Sequence, residues 1–219
     1  MQKIATNQPV LVMLYGYPGA GKTYFAAQLA ESLEAAHIQS DRIRHELFEE
    51  PKYDKDENEV VEHLTQYMAE EFLKAGVNVI YDGDVTRTTQ RRSLRDVARK
   101  THAQPFLVWL QIDSESAKQR LNNRDRRKTE DKYAQPYSQA MFEERINRMQ
   151  NPNNEDYIVI SGKHTFNTQR SAAIKKMYDQ GIITSDTATA NVVKPGLVNL
   201  VPNPQAGRVD FSRRNIIIR

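Results

Sequence analysis

No cysteine occurs in the 219 residues, which removes disulfides, thiolate nucleophiles and cysteine-ligated zinc from consideration. No apolar run approaches the ~20 residues that a bilayer-spanning helix needs. The opening residues, Met1-Gln2-Lys3 followed by polar ones, lack the apolar core of a secretion signal. Internal repeats are missing, so solenoid architectures are not expected. The histidines (His37, His45, His63, His102 and His164) show no metal-ligand spacing. Together these absences lead to the expectation of a cytoplasmic protein with no membrane partner.

What remains is an ordinary folded composition, with 39% hydrophobic and 27% charged residues. The net charge of +3 is compatible with an anionic partner without requiring one. Two periodicities alternate along the chain. Short strand-like runs occur at Val10–Tyr15, Ala36–Gln39, Val77–Tyr81, Pro105–Ile112 and Tyr157–Ile160. Between and after them apolar residues recur at helical spacing: Phe25, Ala26, Leu29, Ala30 and Leu33; Val60, Val61, Leu64, Met68, Phe72 and Leu73; Leu94, Val97 and Ala98; Met141, Phe142 and Ile146; Ile174, Met177 and Tyr178. Gly76 stands where a helix C-cap belongs, and Asp113 or Ser114 where an N-cap belongs. Strands separated by helices imply a five-stranded parallel sheet covered on both faces, an α/β fold with right-handed crossovers. At Gly181 the composition shifts to proline and glycine without helical period. A domain over 1–180 and an extended tail over 181–219 are therefore expected, with a short strand at Asn215–Ile218.

The strongest local signal is Gly16-Tyr17-Pro18-Gly19-Ala20-Gly21-Lys22-Thr23, a full G-x4-G-K-[ST] phosphate loop. It follows a strand and opens a helix, as this motif requires. Gly16, Pro18, Gly19, Ala20 and Gly21 supply a backbone that wraps phosphate oxygens, aided by the helix N-terminus. Lys22 reaches the β- and γ-phosphates of ATP, and the Thr23 hydroxyl holds Mg²⁺. This identifies a P-loop NTPase fold.

Three further clusters carry candidate chemistry. Asp82, ending the third strand, is placed to serve the metal or orient a substrate, with Asp84 as the weaker candidate. Both also suit simple turn capping. Two carboxylates so close need a cation beside them to ionise together. Ser40-Asp41-Arg42-Ile43-Arg44 falls after the second strand, at the carboxyl edge where ligands bind. There Asp41 can accept a hydroxyl proton, and Arg44 can fork onto an anion. Ser40 or Asp41 as a plain N-cap is the structural alternative. The third cluster holds Lys118, Arg120, Arg124, Arg126, Arg127 and Lys128. Arg120 and Arg124 share a helix face and suit the closing of cations over a moving phosphoryl group. A solvated helix with Asp125, Glu130 and Asp131 as partners is the alternative for the whole stretch, Arg120 and Arg124 included.

In their order, Gly16–Thr23, Ser40–Arg44, Gly76–Asp82, Arg91-Arg92, Arg120 and Arg124 resemble the small P-loop kinases. The likeness is to the kinase domain of bacteriophage-type polynucleotide kinase and its AAA-type bacterial relatives, and it spans roughly residues 8–180. The resemblance implies phosphorylation of 5′-hydroxyl nucleic-acid ends, with ATP and Mg²⁺ as cofactors. It also implies Asp41 as the base, Arg44 as a contact to a substrate phosphate and Arg124 as the lid arginine. Arg42, Arg92 and Asp82 complete the expected substrate side. The chain departs from the pattern with Asp82-Gly83-Asp84 where Asp-x-Thr or Asp-x-Asn is usual. No phosphatase domain is expected. Zeta-toxin-like kinases of sugar nucleotides and kinases of antibiotics or metabolites use the same scaffold. A small-molecule kinase is thus the second reading, and a slow ATPase switch is the third. The expected acceptor is anionic and hydroxyl-bearing, with nucleic acid foremost; the sequence sets no oligomeric state.

Overall fold

The computed structural model describes residues 3–124 and 132–185. The expected strand at Asn215–Ile218, most of the expected tail, and Arg126, Arg127 and Lys128 lie outside the described residues. Among the described residues twelve elements follow in the order β1 (Val10–Tyr15), α1 (Lys22–Leu33), β2 (Ala36–Gln39), α2 (Ser40–Leu47), α3 (Lys55–Lys74), β3 (Val79–Asp82), α4 (Thr88–Lys100), β4 (Gln104–Gln111), α5 (Ser114–Asn122), α6 (Gln139–Arg148), β5 (Ile158–Ser161) and α7 (Phe166–Asp179).

All five strands run parallel, in the spatial order β2-β3-β1-β4-β5. The central strand β1 is buried along its whole length, as a two-faced parallel sheet requires. Its alternation divides the core. Val10, Val12 and Leu14 join the side chains of α1 and α7 on one face, while Leu11, Met13 and Tyr15 join those of α3 and α4 on the other. The chain leaves β1 for β2 at the sheet edge, although the neighbours of β1 are β3 and β4. This switch point opens a crevice beyond the carboxyl ends of the strands. Among the described residues no helix is long and apolar enough to cross a membrane.

Element ends follow local chemistry. Asp113 caps α5 through Ser116 N–H, and Asp54 caps α3 through Glu57 N–H. Gly76 takes a left-handed φ of 79°. Its N–H bonds to the Leu73 carbonyl and that of Val77 to the Phe72 carbonyl, which closes a Schellman turn. Asn78 stitches the opposite end of the sheet: its side chain accepts from Val10 N–H and donates to the Leu33 carbonyl.

Three expectations change. The inner face of α3 is Glu57, Val61, Thr65, Ala69 and Leu73, whereas Val60 is 50% and Phe72 37% exposed. Thr65 is tolerated inside because its hydroxyl bonds the Val61 carbonyl and the Tyr81 hydroxyl. Met141 and Tyr178, expected on inner faces, are exposed. The tail expected from Gly181 begins with Ile182 and Ile183, which are buried in the core. Ile182 also accepts from Asn7 N–H.

Arg91 is fully buried. Its guanidinium donates to both carboxylate oxygens of Glu155 at 2.7–3.0 Å and to the Val85 carbonyl at 2.9 Å, and lies over the Tyr15 ring. Arg95 adds a second ion pair to Glu155. Removing one partner of a buried pair strands the other charge. Glu155→Ala is therefore expected to cost about 3–5 kcal/mol of unfolding free energy. Urea denaturation checks this, and a loss under about 1 kcal/mol would show that water reaches the pair.

Candidate active site

The turn after β1 carries the phosphate loop. Gly16 has φ 147°, and a Cβ there would stand 2.4 Å from the Leu110 carbonyl oxygen, so only glycine lets the loop pass this close to β4. Gly21 precedes α1, which begins at Lys22 with no side-chain cap. Its first N–H groups are thus left for an anion. The Lys22 ammonium folds back onto its own loop, donating to the Gly16 and Tyr17 carbonyls at 2.9 Å each. Burial lowers its pKa to about 8; Asp82 and Asp41 oppose the shift, while Arg145 and Arg124 add to it.

A crevice of about 340 Å³ adjoins the loop. Gly16, Pro18, Lys22 and Thr23 line one end, and Asp41, Arg44, Asp82, Asp84 and Arg124 line the rest. Eight of the residues expected in the site therefore meet in one place: Gly16, Pro18, Lys22, Thr23, Asp41, Arg44, Asp82 and Arg124. Gly19, Ala20 and Gly21 form the loop itself, where Ala20 N–H closes a turn onto the Tyr17 carbonyl. Arg120 sits on the outer side of the loop: it bonds the Gly162 carbonyl at 2.9 Å and passes near Gly21 without lining the crevice. Arg42 and Arg92 do not join the site. Both are exposed and neither lines the crevice, because the faces of α2 and α4 that carry them turn outward.

Asp41 lies in the first turn of α2, whose N-cap is Gln39 with no side-chain cap bond. The capping alternative for Ser40 and Asp41 is therefore not realised; the Ser40 hydroxyl instead meets the Asp82 carbonyl at 3.3 Å. Burial raises the Asp41 pKa and the Asp82 charge raises it further, against a bond from Gln135 N–H and the charges of Arg44 and Arg124. A carboxylate that binds its proton more firmly is a better base once ionised. Asp82 ends β3, is buried, and accepts from His37 Nε2 at 3.3 Å.

Arg44 is not an open fork. It is buried against Glu57 at 3.1 Å, bonds Asn58 at 2.6 Å and lies over the Tyr53 ring. Asp84 pairs with Arg145 at 2.8 Å and accepts from the N–H and hydroxyl of Thr86. Burial opposes its charge, but Arg145 and Thr86 outweigh that and hold its carboxyl below the ordinary aspartate range. Arg145 is thus the cation beside Asp84, while Lys22 and His37 stand beside Asp82. Asp82-Gly83-Asp84-Val85-Thr86 also spells Asp-x-Asp-x-Thr, but here the string is the end of β3 and the turn after it, within the same parallel sheet as the phosphate loop. With Asp84 held ionised, it is an anchor rather than a proton donor. Arg145, Tyr137, Gln135, Glu144 and Arg148 also line the crevice. None of them stands out in the sequence, where the helix carrying Glu144, Arg145 and Arg148 is marked only by Met141, Phe142 and Ile146.

A family model described as an AAA domain, AAA_33, matches residues 11–151. A comparison with curated proteins yields no match. Among solved structures, Kti12 of Chaetomium thermophilum in complex with ADP-AlF3 aligns with TM-score 0.62 at 18% identity, covering 80% of this chain and 100% of that one. A sugar kinase from Janibacter sp. aligns at 0.57 and 14%, covering 85% and 99%. The APS kinase CysC of Mycobacterium tuberculosis, in complex with AMPPNP and APS, aligns at 0.57 and 16%, covering 78% and 96%. At these identities the likeness is one of fold.

Because burial lowers the Lys22 pKa to about 8, and a polyphosphate favours its charged form, nucleotide binding near pH 8 should be accompanied by proton uptake. Calorimetry in two buffers of different ionisation enthalpy reads this directly. Affinity should fall as pH rises through 8 and the free lysine loses its charge. Affinity that stays flat from pH 7 to 9 would place Lys22 outside the phosphate contact.

Proposed function

This chain belongs to the AAA domain family AAA_33, and from that premise we propose that it is an ATP-dependent kinase transferring the γ-phosphoryl group to a hydroxyl. The observation that carries the reading is Asp41, an uncapping carboxylate of raised pKa lining the same crevice as Lys22 and Thr23.

In this reading the loop and α1 N–H groups hold the triphosphate, and Lys22 exchanges its loop carbonyls for phosphate oxygens. The Thr23 hydroxyl and the Asp82 carboxylate suit Mg²⁺, which keeps most of its water and takes few protein ligands. When bound, Mg²⁺ neutralises charge on the phosphates. Asp41 accepts the proton of the acceptor hydroxyl as that oxygen bonds to the γ-phosphorus. The bond from phosphorus to the bridging oxygen breaks, and ADP carries away the electron pair. Arg124 places positive charge beside the moving group.

The resemblance to polynucleotide kinase puts a 5′-hydroxyl polynucleotide end first, and a groove beside Asp41 lined by Arg42, Arg44 and Arg92 would favour it. Two of these arginines face away from the crevice and the third is paired with Glu57, so a small-molecule acceptor is better supported. The switch reading gives Asp41 no task.

Asp41→Asn is nearly isosteric and is expected to keep ATP affinity near wild type while lowering transfer ~10²–10⁴-fold. Transfer retained at the wild-type rate would move the base to Asp82. Arg124→Ala should reduce kcat by roughly 10²-fold or more with little change in KM for ATP. A change in KM alone would make Arg124 a ground-state contact.

A further inference from the structure

We infer that the acceptor is an uncharged, hydroxyl-rich small molecule of the sugar or polyol type. The inference rests on the kinase reading above and concerns the wall of the crevice beyond Asp41. That wall comes from α2, the start of α3, the turn after β3, and α6. Its charges stand in opposite pairs that other bonds hold in place.

The first pair is Arg44 with Glu57, both buried. Glu57 also accepts from the N–H groups of Lys52 and Tyr53 at 2.8–3.0 Å. Arg44 is held further by Asn58 and by the Tyr53 ring. The second pair is Arg145 with Asp84, and Asp84 is pinned twice by Thr86. The third, Glu144 with Arg148, is exposed at the rim, as is Arg87. Charges in water at a rim act weakly on a ligand.

An acceptor carrying a phosphate would have to draw Arg44 or Arg145 from its carboxylate. The carboxylate could not follow, because its backbone and threonine bonds hold it, and it would be left without its cation, buried in the case of Glu57 and half-buried in the case of Asp84. A hydroxyl faces no such conflict. It donates to the carboxylate and accepts from the guanidinium at the same spot, leaving the pair intact. Asn58, Thr86 and Gln135 line the same wall with neutral polar groups. Burial pushes the Tyr137 hydroxyl up, so it stays a protonated donor. The Arg145–Asp84 pair gives the wall both halves of the hydrogen bond that a sugar hydroxyl makes, while Glu57 stands behind Arg44, outside the lining.

The test uses matched acceptors that differ by one phosphate away from the reacting hydroxyl: a hexose with its phosphate ester, and a nucleoside with its 3′-phosphate. A 5′-hydroxyl oligonucleotide completes the set. Binding is read by ligand-observed NMR in the presence of a non-hydrolysable ATP analogue, and transfer is read with γ-labelled ATP. The neutral member of a pair should bind and react at least ~10-fold better. Asp84→Asn leaves Arg145 unpaired and should shift preference toward the anionic member by about tenfold, with a melting curve checking the fold. Glu144→Gln, on the exposed rim, should shift it in the same direction by less. Preference of the wild type for the anionic member or the oligonucleotide overturns the inference. So does failure of every neutral compound to bind while the nucleotide analogue does, or an unchanged preference in a folded Asp84→Asn. If a neutral compound binds and no label moves, the acceptor class stands and the kinase reading falls.

Discussion

The Lys22 ammonium is the charge around which the crevice is arranged. It is held at the mouth of a glycine turn by two backbone carbonyls of that same turn, so the loop keeps its shape before any phosphate arrives. Burial draws its pKa down while Asp82 and Asp41 push it back up. The same carboxylates repel each other, which helps to raise Asp41. One buried cation thus couples the donor end of the crevice to the acceptor end, and incoming phosphates act on both. Arg124 and Arg145 complete the balance from outside the sheet.

That arrangement needs a rigid floor. The carboxyl edge of β3 turns at Gly83 toward Val85, whose carbonyl is bound by Arg91. Arg91 in turn ties α4 to Glu155, ahead of β5, and to the Tyr15 ring at the end of β1. Gln150 adds a second tie, donating from its N–H to the Thr86 carbonyl and accepting from Thr88 N–H. Asp82 and Asp84 are therefore presented by a turn held from three directions, which is how side chains on a loop become precise enough for chemistry.

Much of this was legible in the sequence. The phosphate loop, its strand and its helix were plain because a local motif and two periodicities agreed. The sheet followed from alternation of strands and helices. What escaped were charges that tertiary partners make tolerable inside. Glu57 sits on the inner face of α3 because Arg44 and two backbone N–H groups reach it, and no periodicity can announce that. Arg91 stood out only beside Arg92 in the kinase-like pattern, with nothing local to mark it as buried. Arg42 and Arg92 looked like ligand contacts because spacing places a residue on an element but does not say which face turns inward. Arg145 was hidden in a helix read only for its apolar residues.

The Arg91–Glu155 pair spans 64 residues, and this has a consequence for how the protein is made. A chain emerging from the ribosome presents β1, the phosphate loop and Arg91 well before Glu155 exists. Until that carboxylate arrives, α4 cannot close on the sheet without burying a lone positive charge. The nascent chain is thereby kept from completing its nucleotide site early, and the final closure waits on the last third of the sequence.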